Sequence, residues 1–510
     1  MGNRNIMLGA LLSLTSLLIG KAERLQVTVQ LNETITSSFL GNGVQWSAYP
    51  HADTPDAEWG MLMTDEKWEK VFSRVGYMKP GLVRVLDQAN WRYIKGFDEK
   101  GQVILDFHSP EVQVLEKLLG YCQQNNISVL LGEWGCPYKV HDQHVGFGKI
   151  FTGANDPRWV GVIVRFLDYL INEKGYSCIK YYNLVNEPNG SWASTDGNWD
   201  EWSQGVRLLK EALDKSGLSD KISVAGPDAV AHFDHPGSQY TGVQWVDQSV
   251  RQLDDCIGLY DIHSYPGFNQ VRSGGFGKFY GDIARIVRET GKQIILGEIG
   301  FNRDTQDNQA RVKCDRFASE DSQMAVYDFS YGIDMANVLM QAMNAGYGSA
   351  IAWSLDDAMH TNGDTGDKYQ LKRWGFWNSL GTELCNDPAD ENIRPWFYTW
   401  SLMCRYFPQG INIVTSVLSE TDGVRVVSGY RKDGVTVALI NLSDKERDIR
   451  IKFSSKGFRQ NFRQYVYSDT LRPVDSNGFP VPVTKISTNS GKLGVSLPAN
   501  SFILLTSFNF

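Results

Sequence analysis

The chain has 510 residues, of which 42% are hydrophobic and 21% are charged. This length is too great for one ordinary domain and suits a large domain accompanied by a smaller one. The formal net charge is −8 at pH 7 and there is no block of like charges, which argues against a nucleic-acid partner, because phosphate binding needs concentrated Lys and Arg.

The first segment is typical of an export signal. Arg4 precedes a short apolar run over 6–20, and Gly20 and Ala22 place small residues where a signal peptidase would cut. A membrane-spanning helix is the alternative, but about 15 apolar residues fall short of the roughly 20 that a bilayer requires. We therefore expect residues 1–22 to be removed, leaving a secreted or periplasmic protein that is not inserted in the membrane.

Eight short β-rich runs alternate with amphipathic helical stretches between residues 36 and 408. The predicted strands are 39–49, 81–86, 128–134, 179–187, 223–229, 258–266, 293–300 and 348–355. The predicted helices are 65–78, 109–125, 156–173, 200–216, 241–253, 278–290, 322–345 and 394–407. This alternation predicts an α/β fold, a (β/α)8 TIM barrel over 36–408. A doubly wound open sheet is the alternative, which the missing GxGxxG after the first strand disfavours.

The pattern changes at residue 409, after which short strands and turns replace the helices as far as residue 510. Lys432, Asp433 and Gly434 form a hairpin-turn signal between two alternating runs. We therefore predict a C-terminal antiparallel β-sandwich domain over 409–510, with the alternating run 24–35 as a candidate extra strand. The seven cysteines show neither a disulfide framework nor a zinc signature, which favours buried free thiols.

The catalytic groups of a barrel stand at the carboxyl ends of its strands, so the strand ends supply the candidates. These candidates are Arg84, Glu133, Trp134, Asn186, Glu187, Asp228, His263, Tyr265, Glu298 and Trp353. Glu187 ends the fourth predicted strand and Glu298 lies near the end of the seventh, so the two carboxylates are predicted to face each other across the mouth. Such a pair can protonate a glycosidic oxygen and attack the anomeric carbon.

Two strand-end motifs resemble those of glycoside hydrolase clan A. Residues 182–188, YNLVNEP, resemble the fourth-strand motif of that clan, and residues 295–300, ILGEIG, resemble its seventh-strand nucleophile motif. Further clan positions on the second, sixth and eighth strands are matched by Arg84, His263, Tyr265 and Trp353. The layout is similar to the cellulase- and xylosidase-like branches of the clan, families thirty-nine, five or thirty.

The resemblance implies a retaining β-glycoside hydrolase that cleaves extracellular poly- or oligosaccharide through a covalent glycosyl-enzyme. Glu187 would be the general acid/base and Glu298 the nucleophile. Asn186 would bind the 2-hydroxyl of the sugar, and Arg84 and Tyr265 would orient Glu298. The remaining residues expected to line the same subsite are His263 and Trp353. No metal or cofactor is expected, because two carboxylates supply both the proton transfer and the attack.

Two other functions stay open at this stage. A transglycosylase would use the same two glutamates with a sugar in place of water. A carbohydrate-binding protein without catalysis is the third hypothesis, although lectin-like relatives of the clan usually lose one of the two glutamates. Carbohydrate is the expected partner in each case, and the oligomeric state is left open.

Several polar and aromatic residues have two interpretations. Glu133 is either a third site carboxylate or a buried acid paired with an arginine. Two His-x-x-His segments, starting at His141 and at His232, resemble metal ligands, but the favoured interpretation is that these histidines are polar loop residues. A structural calcium ion is left open. Trp134 is assigned to substrate binding. Tryptophans that are either sugar platforms or core residues are Trp46, Trp134, Trp192, Trp199, Trp374 and Trp377.

Overall fold

The computed structural model describes residues 25–47, 49, 62–137, 151–359, 370–419, 423–455 and 457–510. The predicted export signal, residues 1–22, lies outside this part of the chain, as do His141 and His144. Within the described residues, no helix is long and apolar enough to cross a membrane.

Eight parallel strands close into a barrel, in which the first strand pairs with both the second and the eighth. In chain order the barrel strands are Gly43–Gln45, Leu82–Asp87, Ser128–Glu133, Ile179–Asn183, Ser223–Val230, Ile257–Ser264, Ile294–Ile299 and Ser349–Ala352. The predicted α/β fold with a TIM barrel is therefore confirmed. The first strand is shorter than the predicted 39–49, because the amide of Phe39 donates to the carbonyl of Ile411, outside the barrel.

Helices alternate with the barrel strands, as a TIM barrel requires. The α-helices are Asp65–Met78, Ala89–Arg92, Pro110–Gln124, Pro157–Asp168, Trp199–Lys215, Gly242–Leu253, Phe268–Arg272, Gly275–Arg288, Gln306–Cys314, Phe329–Ala345, Gly381–Cys385 and Phe397–Tyr406. The other helical segments are Tyr169–Glu173, Met324–Tyr327, Asp357–Met359 and Pro388–Glu391. Ser109 and Thr241 begin their helices by accepting a first-turn amide hydrogen. The predicted helix 322–345 begins only at Phe329, because Asp328 has an extended backbone.

The inside of the barrel changes from apolar to polar towards the carboxyl ends of its strands. Its apolar layer consists of Leu82, Leu130, Ala225, Leu259, Ile295 and Ile351. Side chains on a strand alternate, so Arg84 and Asp261, two residues beyond Leu82 and Leu259, point into the same interior. Gly297 makes room for them, since a Cβ there would lie 2.2 Å from Oδ1 of Asp261. This polar layer forms the base of the candidate site.

A second domain is a mixed nine-stranded sheet. In sheet order its strands are Thr484–Ser487, Asn461–Tyr467, Ser501–Thr506, Gly434–Asn441, Val424–Arg431, Asn412–Leu418, Leu25–Thr36, Arg447–Phe453 and Lys492–Leu497. The last strand in this order also packs against Gly434–Asn441, so the sheet folds over its own apolar core. One pair departs from the antiparallel arrangement, because Leu25–Thr36 runs parallel to Arg447–Phe453. The N-terminal strand is inserted between two later strands and is connected to neither of them by a hairpin, so its direction is not fixed as antiparallel to both. A separate two-stranded hairpin joins Ile94–Phe97 to Val103–Leu105.

The barrel and the sheet domain share a packed aromatic boundary. The ring of Phe329 stacks on that of Tyr467 with a centroid separation of 4.5 Å. The hydroxyl groups of Tyr406 and Tyr465 lie 2.7 Å apart and are buried. Both sheet-domain tyrosines belong to the same apolar cluster as the barrel core, which fixes one domain on the other. All seven cysteines are free.

Candidate active site

Glu298 lies on the seventh barrel strand and is 4% exposed. Nη1 of Arg84 donates to its Oε1 at 2.6 Å, and the hydroxyl of Tyr265 donates to its Oε2 at 2.5 Å. One donor on each oxygen fixes the carboxylate plane and stabilises the ionised form. The two residues predicted to orient Glu298 are thus both in contact with it.

Glu187 follows the fourth barrel strand, and its backbone is in the left-handed region with a φ of 49°. Few residues other than glycine adopt this conformation, and such strain concentrates at functional sites. Its Oε1 lies 2.9 Å from Nδ1 of His263, and its Oε2 accepts a hydrogen bond from the indole Nε1 of Trp192 at 2.6 Å. The sequence gives no signal for this tryptophan contact, because it depends on how the loop after Glu187 folds back.

The two glutamates approach each other closely. One oxygen of Glu187, one oxygen of Glu298 and a ring nitrogen of His263 lie within 4.8 Å of one another. In glycosidases, carboxyl groups about 5–5.5 Å apart leave no room for a nucleophilic water, whereas groups about 6.5–9.5 Å apart do. The oxygens of Glu187 and Glu298 that come closest are within 4.8 Å, so both carboxyl groups can act on one glycosidic bond.

Arg84 is the centre of the buried part of the site. Its Nη2 donates to Oδ1 of Asn186 at 2.8 Å and to Oδ2 of Asp228 at 3.0 Å, while Nη1 holds Glu298. Asp228 lies on the fifth barrel strand, is fully buried and has a φ of 60°. Sequence analysis places Asp228 at a strand end but assigns it no role, because nothing local reveals an arginine partner 144 positions away.

His263 does not line the cavity as predicted. It is fully buried beneath the cavity, where Nδ1 contacts Glu187 and Nε2 lies 3.0 Å from Oδ1 of Asp228. Tyr265, two residues nearer the mouth on the same side of the chain, lines the cavity instead. His263 therefore connects the buried Asp228 to Glu187, the candidate acid/base.

Burial and neighbouring charges oppose each other in setting the protonation of this site. Burial lowers the pKa of His263, but the carboxylates of Asp228 and Glu298 outweigh it and raise that pKa well above 6.5, so the ring is protonated. Burial raises the pKa of Glu298 above 4.5, although His263 and Arg84 act to lower it. For Asp228, burial acts to raise the pKa, but Arg84 and His263 bring it below 3.8.

A cavity of about 500 Å³ opens over the two glutamates. Its aromatic lining consists of Trp134, Trp192, Phe233, Tyr265, Trp353 and Trp374. Its charged lining includes Arg303, Asp304, Asp321 and Lys372. The cavity thus combines aromatic faces with many converging polar and charged groups, and such polar groups fix the orientation of a bound small molecule. Three tryptophans considered as platforms instead pack in the core: Trp46, Trp199 and Trp377.

Glu133 lies apart from the two glutamates, and only one residue of the described histidine pair lines their cavity. Glu133 is buried, accepts hydrogen bonds from the Tyr93 hydroxyl and a backbone amide, and does not line the cavity. His232 lines the cavity, whereas His235 lies 3.0 Å from Oδ1 of Asp196. The two histidines thus have different surroundings, and Glu133 is a structural acid held by the Tyr93 hydroxyl and the amide of Ala89.

Two groups of described residues have the spacing of metal ligands: Glu187, His263 and Glu298 form one, and Asp228, Asp261 and His263 form the other. His263 belongs to both groups, and each of its ring nitrogens contacts a carboxylate, Nδ1 that of Glu187 and Nε2 that of Asp228. The guanidinium of Arg84 already supplies positive charge to both Asp228 and Glu298. The arrangement is therefore an internally paired network.

Comparison with known proteins gives a likeness in structure rather than in sequence. No family model matches the chain, and no curated protein matches it in sequence. A GH30 endoxylanase from Clostridium papyrosolvens C71 superposes with a TM-score of 0.62 at 14% identity, covering 95% of this chain and 100% of the other.

Two further solved structures belong to other glycoside hydrolase families. A GH39 β-xylosidase from Caulobacter crescentus has a TM-score of 0.58 at 12% identity and covers 95% of this chain and 100% of its own. A GH51 α-L-arabinofuranosidase from Thermotoga petrophila RKU-1 has a TM-score of 0.58 at 13% identity and covers 94% of this chain and 99% of its own. The predicted resemblance to clan A is confirmed at the level of the fold, and no single family is distinguished.

Proposed function

We propose that the protein is a retaining glycoside hydrolase that works by double displacement, with Glu298 as nucleophile and Glu187 as general acid/base. The observation that carries this proposal is the pair of glutamate oxygens within 4.8 Å at the ends of the fourth and seventh barrel strands. The neighbours named as xylanase, xylosidase and arabinofuranosidase support glycosidic bonds as the target class.

In the first half of the reaction, a carboxylate oxygen of Glu298 attacks the anomeric carbon as the bond to the leaving oxygen breaks. Arg84 and Tyr265 each hold one of its oxygens, which keeps the nucleophile ionised and aimed. Glu187 gives its proton to the leaving oxygen. Oε1 of Glu187 contacts Nδ1 of His263 and Oε2 accepts from the indole of Trp192, so both oxygens of the acid are positioned.

In the second half, the carboxylate of Glu187 removes a proton from water, which attacks the same carbon and frees Glu298. Formation of the glycosyl ester removes the negative charge of Glu298, so the carboxylate of Glu187 no longer faces a second negative charge when it must act as a base. The protonated ring of His263 stabilises the carboxylate of Glu187 at that stage.

Asn186 and the aromatic lining supply substrate binding. Oδ1 of Asn186 accepts from Arg84, which leaves the Nδ2 amide to donate to the 2-hydroxyl of the sugar. Trp134 and Trp353 line the same cavity and offer flat faces to sugar rings. Xylose- and arabinose-containing glycosides are the first substrates to test, because the structural neighbours are named for them.

The predicted export signal extends the proposal to extracellular poly- or oligosaccharide. Residues 1–22 have the composition of a cleaved signal. N-terminal sequencing of protein recovered outside the cytoplasm should begin near Glu23. Recovery of the chain with Met1 intact in an integral membrane fraction would contradict export.

Azide rescue of two alanine variants tests the roles of the glutamates. Glu298→Ala should be inactive on all glycosides, and azide should restore formation of a glycosyl azide with inverted anomeric configuration, since azide replaces the nucleophile. Glu187→Ala should still react with dinitrophenyl glycosides, whose leaving group needs no proton, and azide should give the retained configuration. Glu133→Ala is the matched control, because this buried glutamate does not line the cavity and azide should not alter its products. The opposite pairing of azide products would overturn the assignment.

A further inference from the structure

Asp261 is a buried acid at the base of the site that the proposed mechanism does not use. It lies on the sixth barrel strand, two residues before His263, and is fully buried in the barrel interior. Neither of its carboxyl oxygens has a hydrogen-bond donor among the described residues. Its immediate neighbours are the backbone of Gly297 and the side chains of Asp228 and His263.

The surroundings of Asp261 do not suit an ionised carboxylate. A charge buried without a donor carries a large desolvation cost, and two adjacent carboxylates resist ionising together. The carboxyl groups of Asp261 and Asp228 face each other, with one oxygen of each within 4.8 Å, so Asp228 is the acceptor towards which a proton on Asp261 would be directed. Asp228 is the partner that stays ionised, because Arg84 and His263 both contact it.

The protonation of Asp261 follows from the same contacts. Burial raises its pKa well above 3.8, and the neighbouring charge of Asp228 raises it further. The cations His263 and Arg84 act in the opposite direction but do not reverse the result.

A count of the charges in the site during the catalytic cycle also indicates that Asp261 is protonated. Arg84 and His263 provide two positive charges, and four carboxyl groups surround them: Glu187, Asp228, Asp261 and Glu298. Before reaction, Asp228 and Glu298 are ionised and Glu187 holds its proton. In the glycosyl-enzyme, Asp228 and Glu187 are ionised and Glu298 is an ester. The cluster is neutral in both states only when Asp261 keeps its proton.

We propose that Asp261 is a positioning residue that stays a neutral carboxylic acid throughout turnover and donates a hydrogen bond to Asp228. Through that bond it holds Asp228 in the position from which Asp228 binds Arg84 and His263, the two cations that in turn hold Glu298 and Glu187. The charge count, though not the contacts of Asp261, rests on the proposed function.

Two substitutions distinguish a neutral Asp261 that donates a hydrogen bond from an ionised Asp261 that carries a negative charge. Asp261→Asn keeps a neutral donor of nearly the same shape, so kcat/KM should stay within about threefold and both limbs of its pH profile should stay in place. Asp261→Ala loses the donor, so kcat should fall on the order of tenfold and the pH profile should shift as Asp228 and His263 lose their alignment. A shift of the Asp261→Asn pH profile by about one unit or more would show that wild-type Asp261 is ionised and would overturn the proposal.

Neutron diffraction of the wild-type protein after deuterium exchange tests the same point without activity or a variant. We expect a deuterium atom on the Asp261 carboxyl, directed at Asp228, at a pD within the active range. A bare Asp261 carboxylate would contradict the proposal even if the protein is a glycosidase. Conversely, an absence of glycosidase activity together with a deuterium on Asp261 would remove the proposed function and leave this assignment standing.

Discussion

The molecule contains two buried networks of arginines and carboxylates, and they are built differently. The network on the flank of the barrel pairs Arg373 and Arg394 with Asp357 and Asp390. Asp357 and Asp390 are buried with the two arginines, and Asp315 lies partly exposed at 3.5 Å from Nε of Arg373. Arg394 and Arg373 outweigh burial to lower the pKa of Asp390. The network at the mouth has four carboxyl groups around two cations, and the pKa values of Glu298 and Asp261 are raised.

The different charge balance indicates that the flank network serves the structure and that the network at the mouth serves the reaction. Asp357 accepts hydrogen bonds from the amides of Trp374 and Gly375 as well as from Arg394, so its charge is fully matched. At the mouth, Glu187 and Glu298 line an open cavity, where a substrate can still reach them. Matched charge stabilises the fold, whereas an excess of carboxyl groups beside a cavity keeps a proton available for transfer.

The first prediction removes the nucleophile from the mouth. Glu298→Gln should lower kcat/KM on the order of 10⁴-fold or more, because no other described carboxylate reaches the anomeric carbon in its place. Glutamine keeps the shape of the side chain and can still accept a hydrogen bond from Arg84 or from Tyr265, so the variant should remain folded by circular dichroism. Glu289→Gln makes the same change at an exposed site and should keep full activity. Comparable loss in both variants would contradict a specific role for Glu298.

The second prediction breaks the flank network. Asp390→Asn leaves Arg373 and Arg394 with one buried carboxylate between them, which should lower the free energy of unfolding by about 3–5 kcal/mol. Below the unfolding transition, kcat/KM should stay close to the wild-type value, because Asp390 does not line the cavity. Urea unfolding and steady-state kinetics measure the two effects. A large loss of activity in the still-folded variant would show that the two networks are not separate.

A pH titration of the wild-type protein compares the flank network with the network at the mouth. The pKa of Asp390 is lowered in the folded protein, so its contribution to stability is present above its ordinary value of 3.8 and is lost only as pH falls through the lower folded value. Glu298 must be ionised to attack, and its pKa is raised above 4.5. As the pH is lowered, kcat/KM should therefore fall at a higher pH than the pH at which the stabilising charge of Asp390 is lost. We expect a range in which circular dichroism is native and activity is lost. Coincident loss of both signals would contradict this order.

The smallest expected effect comes from Trp192, which donates to Glu187 and contacts Phe233 with a centroid separation of 4.7 Å. Trp192→Phe removes the indole N–H and keeps an aromatic ring, so kcat should change by roughly tenfold or less for poor leaving groups and hardly at all for dinitrophenyl glycosides. Phe233→Leu keeps the N–H and should act mainly on KM. An equal effect of Trp192→Phe on both classes of leaving group would contradict its link to the acid.

The sequence was sufficient to predict the barrel and the main members of the site because both follow local rules. Apolar runs and helical periods locate strands, and residues at strand ends converge at one mouth. Arg84, Tyr265 and Glu298 meet there as expected. Their contacts need only the strand order of a closed barrel.

Other features depend on contacts that local sequence does not reveal. Asp228 and Asp261 acquire their roles from charges on neighbouring strands, and His263 lies one layer deeper than the subsite predicted for it. The position of Leu25–Thr36 between two later strands depends on the fold of the complete sheet. In each case the decisive partner is distant in the chain.

The anomeric configuration of the first product formed tests the proposed double displacement most directly. Proton NMR of wild-type hydrolysis, recorded before mutarotation, should show that the released sugar keeps the configuration of the substrate. That result is required if Glu187 and Glu298 lie too close for a water molecule to attack in one step. Initial release of the inverted anomer would show that water attacks directly and would contradict the role of Glu298 as nucleophile.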